Sequence, residues 1–169
     1  FKGALLNVLR GQNRLVLGGS LHWIFQILSC LACSDGKSEY IQSVSHVNSL
    51  INEYRKEYNQ ISTEMTNIAL EDFSKIDSYR NNNQSKILKL EKKASTVVSE
   101  IDKLLSAKYK SEKLNKLFQD TRQDIMESLY NTKYEINRSS YAEREYTITT
   151  NQLKYMQQYD IEFRSLVAN

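Results

Sequence analysis

The sequence predicts an all-α protein, an elongated helical hairpin or three-helix antiparallel bundle with coiled-coil-like heptads, behind an N-terminal hydrophobic leader. Two observations carry this reading. The chain has no proline, and its five glycines all fall at or before Gly36, against a usual content of about 7% Gly and 5% Pro. Strand-rich folds use those residues in their turns, so a body lacking both reads as helix. The second observation is a 3,4-spaced apolar stripe that runs through most of the body, the seven-residue repeat of packed helices.

The leader comes first. The chain opens on Phe1 rather than methionine, as a fragment or a processed product would. Residues 1–34 hold Lys2, Arg10 and Arg14 and no acidic residue, and Leu15 to Ala32 is mostly apolar. Leu21–Ala32 is the dense segment, shorter than the about 20 apolar residues a membrane span needs. It suits the apolar region of about 7–15 residues in a secretory signal. Small residues at Cys30-x-Ala32 and Ala32-x-Ser34 place a cut near Ala32 or Ser34. A cleaved signal peptide is the leading expectation. A retained membrane anchor, or an ordinary buried helix, are the others. Ile27-Leu28-Ser29-Cys30 loosely resembles the bacterial lipobox, which adds a minor branch with a lipid on Cys30. The domain plan is therefore a leader over 1–34 and a helical domain over 35–169.

In the body, Val44, Val47, Ile51, Tyr54, Tyr58, Ile61, Met65 and Ile68 form an unbroken heptad stripe. Asp72 would take the next slot, and Phe73, Ile76 and Tyr79 continue after a one-residue slip. A second stripe is Ile87, Leu90, Ala94, Val97, Ile101 and Leu104. A looser third is Leu114, Phe118, Thr121, Ile125, Leu129 and Ile136. A fourth is Tyr146, Thr149, Leu153, Met156, Phe163 and Val167, with Asp160 in one slot. Helix breaks are expected at Arg80–Ser85, where asparagines tolerate left-handed geometry, and at Asn137–Ser140. Ser140 with Glu143 makes a capping box, and Thr132 with Glu135 offers another. The register also drifts near Lys108–Ser111, a weaker interruption. The resulting plan is helices over 38–80, 84–136 and 140–167.

Core tyrosines and extra apolar residues (Leu50, Leu70, Leu88, Val98, Leu105) widen the face beyond a two-helix seam. Asn48, Ser62 and Ala69 beside it carry little pairing code, so intramolecular packing is favoured over a dimeric coiled coil. The 11 tyrosines read as ring-buried, hydroxyl-wet packing residues.

Charge and chemistry narrow the function. The net charge of +3 equals the three leader cations, which leaves 20 basic against 20 acidic residues beyond residue 34. A nucleic-acid partner, which needs an excess of cations on one face, is not expected. Both cysteines, Cys30 and Cys33, lie in the leader, so no disulfide framework or cysteine metal site is expected in the body. His46 sits beside the stripe, and no His/carboxylate metal motif or phosphate loop occurs. No metal, cofactor or enzymatic role is expected. Asn83-Gln84-Ser85 and Asn137-Arg138-Ser139 are N-glycosylation sequons. Their number is what chance supplies, but both fall at expected breaks. The functional expectation is a secreted, non-enzymatic helical protein that works by protein–protein contact, including self-association, or as a structural spacer. A membrane-anchored coiled-coil oligomeriser or tether, which would touch membrane only through a retained leader, is the alternative. An amphiphile or lipid carrier ranks last.

Overall fold

The computed structural model describes residues 20–134 and 137–168, with side chains described from Gly36 onward, and these residues are almost entirely helical. The basic start of the leader, Glu135 and Ile136 lie outside the described residues. The chain divides into two units, Phe1–Gly36 and Lys37–Asn169. Among the described residues no helix is long and apolar enough to cross a membrane.

Helix α1 spans Ser20–Asp72, and the backbone at Ala32 and Ser34 lies within it. From Lys37 onward it contributes to the second unit, where Val44, Val47, Ile51, Tyr54, Tyr58, Ile61 and Met65 are all buried. Ile68 departs from the expected stripe. It is half-buried, and Ala69 takes its slot. A straight α-helix drifts about 20° per heptad against a 3.5-residue repeat, and by the end of α1 the core line has moved one residue on. The helix then ends eight residues before the expected position 80. Asp72 adopts extended backbone, and its carboxylate accepts from Ser74 N at 3.1 Å and from Ser74 Oγ at 2.7 Å. A 3₁₀ turn, Phe73–Lys75, follows. The one-residue slip at Asp72 in the sequence was the trace of this break.

Helix α2 (Ile76–Asn82) stops at Asn83, inside the expected polar break. Helix α3 (Gln84–Leu105) buries Ile87, Leu90, Ala94, Val97, Ile101 and Leu104, every residue of its stripe. The long middle helix expected over 84–136 is two helices. Residues 106–111 turn the chain, and α4 runs over Glu112–Lys133. Ser111 caps α4 by accepting from Leu114 N at 3.5 Å. Tyr40 on α1 holds the turn in place. Its hydroxyl accepts from Ser111 N at 3.2 Å and donates to Asn115 Oδ1 at 3.1 Å. A contact to another helix thus fixes a turn that has no glycine or proline of its own.

Helix α5 (Arg138–Ala168) is capped by Asn137, whose Oδ1 accepts from Ser140 N at 2.9 Å. Ser140 therefore sits in the first turn and is not the cap. Thr132 is not a cap either, since it lies buried in α4 and donates to Ser128 O at 2.9 Å.

Side-chain pairs fix the arrangement. Glu53–Lys93 and Glu64–Lys86 run α1 antiparallel to α3. Glu91–Lys133 and Asp102–Arg122 do the same for α3 and α4. Glu127–Arg144 and Lys113–Glu162 pair α4 with α5, while Tyr58–Glu145 and Asn48–Tyr155 pair α5 with α1. Residues 37–168 are thus an antiparallel helical bundle of four main helices, not three. Leu50, Val98 and Leu105 pack partly against its core, whereas Leu70 and Leu88 are exposed.

Candidate functional site

The fourth stripe shows the largest departure from expectation. The buried face of α5 is Tyr141, Ile148, Tyr155, Tyr159 and Leu166. The expected stripe faces outward, with Tyr146 75%, Leu153 58%, Met156 60% and Val167 54% exposed. Only Phe163 of that set packs against the core, its ring stacked on Tyr159 at 5.4 Å. The reason lies in what faces α5 from α1 and α4, which includes a layer of polar groups beside the Phe118 ring.

A glutamate sits at the centre of that polar layer. The Glu145 carboxylate, half-buried on α5, accepts from Tyr58 Oη at 2.6 Å and also from Ser62 Oγ and Asn131 Nδ2. One turn deeper, Tyr54 Oη lies 2.6 Å from Ser128 Oγ. Toward the other end of α5, Tyr155 Oη donates to Asn48 Oδ1 at 3.0 Å. The Arg55 guanidinium lies 4.2 Å from the centre of the Tyr155 ring. Arg55 is only 6% exposed, and its two Nη atoms have no hydrogen-bond partner among the described residues. The Tyr155 face and the nearby Asp124 charge hold it. Turning the aliphatic stripe of α5 inward would strip these groups of their partners, at about 1–3 kcal/mol for each buried donor or acceptor left unpaired.

The electrostatics follow from burial. Desolvation pushes the Tyr58 hydroxyl far above its usual range, and the Glu145 charge beside it adds to the rise. Burial does the same to Tyr54 and Tyr155, and lifts Tyr141 and Tyr159 to about 12. Burial also lowers Arg55 and raises Asp124. These hydroxyls stay protonated near neutral pH and act as hydrogen-bond donors. The cluster can fix the register of α5 against α1 and α4, because one carboxylate is clamped by donors from both helices.

A second polar group, Arg80, closes the far end of α4. Its Nε donates to Thr132 O at 3.0 Å and its Nη2 to Asn131 O at 3.3 Å, while Nη1 pairs with Asp77 at 2.7 Å. A cation on the last carbonyls of a helix satisfies unpaired acceptors and complements the helix dipole. In the sequence Arg80 is only one member of a polar break.

A groove of about 730 Å³ lies between α3 and α4. Its floor includes Ala94, Val98, Met126 and Leu129, and its rim acids Glu91 and Asp102 are paired with Lys133 and Arg122. Among the described residues no group of three or more His, Cys, Asp or Glu side chains is placed to hold a metal.

The sequon asparagines differ. Asn83 is half-buried and its Nδ2, the atom a glycan would occupy, donates to Tyr79 O at 2.9 Å. Asn137 is exposed and caps α5 through its oxygen. The side chains of Cys30, Ala32, Cys33 and Ser34 lie outside the described residues. His46 is exposed on α1.

Compared with protein-family models, with curated proteins and with solved structures, the chain matches none. The class that the fold defines is an antiparallel helical bundle with a tyrosine-rich core.

Proposed function

We propose that this chain is an exported, non-enzymatic helical protein that works through protein–protein contact. The outward stripe of α5 is the observation that carries this reading. Four large apolar side chains of that stripe stand more than half exposed, and an aligned apolar set of that kind marks an interaction surface where single exposed residues would not. The neighbouring stretch Tyr146–Leu153 carries no charged residue, and interface centres are depleted of charge. Export rests on the leader, with its basic start, apolar segment and small residues near Ala32 and Ser34. Given that route, Asn137 is a better glycan acceptor than Asn83, because modification leaves its capping oxygen in place.

Two measurements test the reading. A photo-crosslinking residue at Leu153, with one at the exposed Lys92 of α3 as control, is expected to give a discrete protein adduct at Leu153 alone. Equal labelling at both positions would remove the contact surface. The intact mass of protein secreted from the full reading frame reads cleavage and glycosylation together, and absence of the chain from the medium would remove export.

A further inference from the structure

We infer that the outward stripe of α5 is a seam for the α5 of a second copy of this chain, laid antiparallel about the Leu153–Met156 layer. The inference rests on the contact reading above and names the partner. The outward positions Ala142, Tyr146, Thr149, Leu153, Met156, Asp160 and Val167, with the half-buried Phe163 between the last two, follow one another at spacings of 4, 3, 4, 3, 4, 3 and 4. A seam of that period is filled by another helix, since only a helix presents side chains at matching intervals. At 1.5 Å per residue it runs for roughly 38 Å.

Charge selects which helix. One slot of the eight is charged, Asp160, and it is already paired with Arg164 at 2.8 Å. Such a stripe offers nothing to an acidic or basic partner. The opposite edge of α1 differs, with Glu57 held by Lys93 at 2.7 Å and Lys89 at 3.1 Å. Two copies run parallel and in register would set Asp160 on Asp160. Run antiparallel, the same slots match in kind. Leu153 meets Met156, Ala142 meets Val167, and the Asp160 carboxylate meets the Thr149 hydroxyl. Two-fold symmetry repeats each pair, as in an isologous interface. The two symmetry-related Asp160–Thr149 layers set the register, the role polar residues play in coiled-coil seams.

Sedimentation equilibrium of the full chain over a micromolar range tests this. The wild-type chain is expected to form a concentration-dependent dimer. Leu153→Glu and Met156→Glu are each expected to weaken it at least tenfold, because a charge is placed in an apolar seam. Helical circular dichroism and the thermal midpoint of the dilute monomer stay unchanged, since both side chains are exposed. With Cys30 and Cys33 changed to serine, a Thr149→Cys chain mixed with an Asp160→Cys chain forms a disulfide between the two, and neither does so alone. A wild-type monomer throughout the range overturns the inference, as does a dimer indifferent to both glutamates. A disulfide formed by the Thr149→Cys chain with itself overturns the antiparallel register. If no dimer forms while Leu153 still crosslinks to a different protein, the contact reading stands and this inference alone falls.

Discussion

Helices α3 and α5 carry apolar residues at the same spacing and use them in opposite ways. On α3 the stripe from Ile87 to Leu104 is aliphatic, has no rival face, and is wholly buried. On α5 there are two stripes. One holds Leu153, Met156 and Val167, and the other holds Tyr141, Glu145, Tyr155 and Tyr159, and the second faces the core. The difference teaches that burial follows the facing surface as well as the hydrophobicity of the helix itself. Opposite α5 stand Asn48, Arg55, Tyr58, Ser62 and Asn131 beside the Phe118 ring, and a face with hydroxyls, rings and a carboxylate satisfies them.

High pH is expected to break this contrast most completely. The core face of α5 contains titratable groups and the stripe of α3 contains none. A tyrosine whose folded pKa lies above its unfolded value of 10.0 adds stability that is fully present below pH 10. That stability is lost as the pH rises toward the folded value, about 12 for Tyr141 and Tyr159. The tyrosinate signal of the buried rings is therefore expected to appear together with loss of helical circular dichroism. A complete tyrosinate signal with the dichroism intact would contradict it.

Truncation on the two helices should differ next most. Leu90→Ala is expected to cost about 2–5 kcal/mol in urea unfolding, as fully buried leucines do, and Leu153→Ala within about 0.5 kcal/mol at monomeric concentration. Similar losses at both sites would mean that α5 turns its Leu153 face inward. A smaller effect sharpens the polar half of the contrast. Glu145→Ala leaves Tyr58, Ser62 and Asn131 without their acceptor and is expected to cost about 1–3 kcal/mol. A neutral result would show that these donors find other partners.

Much of the fold was legible in the residues. The stripes of α1 and α3 were read almost residue for residue, because aliphatic residues dominate them and no second face competes. The break at Asn83 was expected from its polar cluster, although Asn83 takes φ −116° and not the left-handed geometry, and the start of α5 was expected at a Ser140 cap where Asn137 caps it instead. The turn over 106–111 was visible only as drift, since its anchor, Tyr40, lies far away in the chain. Asn48 and Ser62, which carry little pairing code in a coiled-coil reading, turned out to bind Tyr155 and Glu145. Their role depends on a partner helix that local pattern cannot name. Arg80 likewise had no signal of its own, because the carbonyls it caps belong to α4.

By itself the sequence determined that residues beyond Gly36 fold as packed helices with a neutral charge balance, because heptad spacing and the lack of chain breakers act locally. Which face of α5 turns inward was decided only by the tertiary structure. That choice depends on buried polar groups of α1 and α4 finding partners across the bundle, and their unmet cost outweighs the gain from burying Leu153 and Met156 instead.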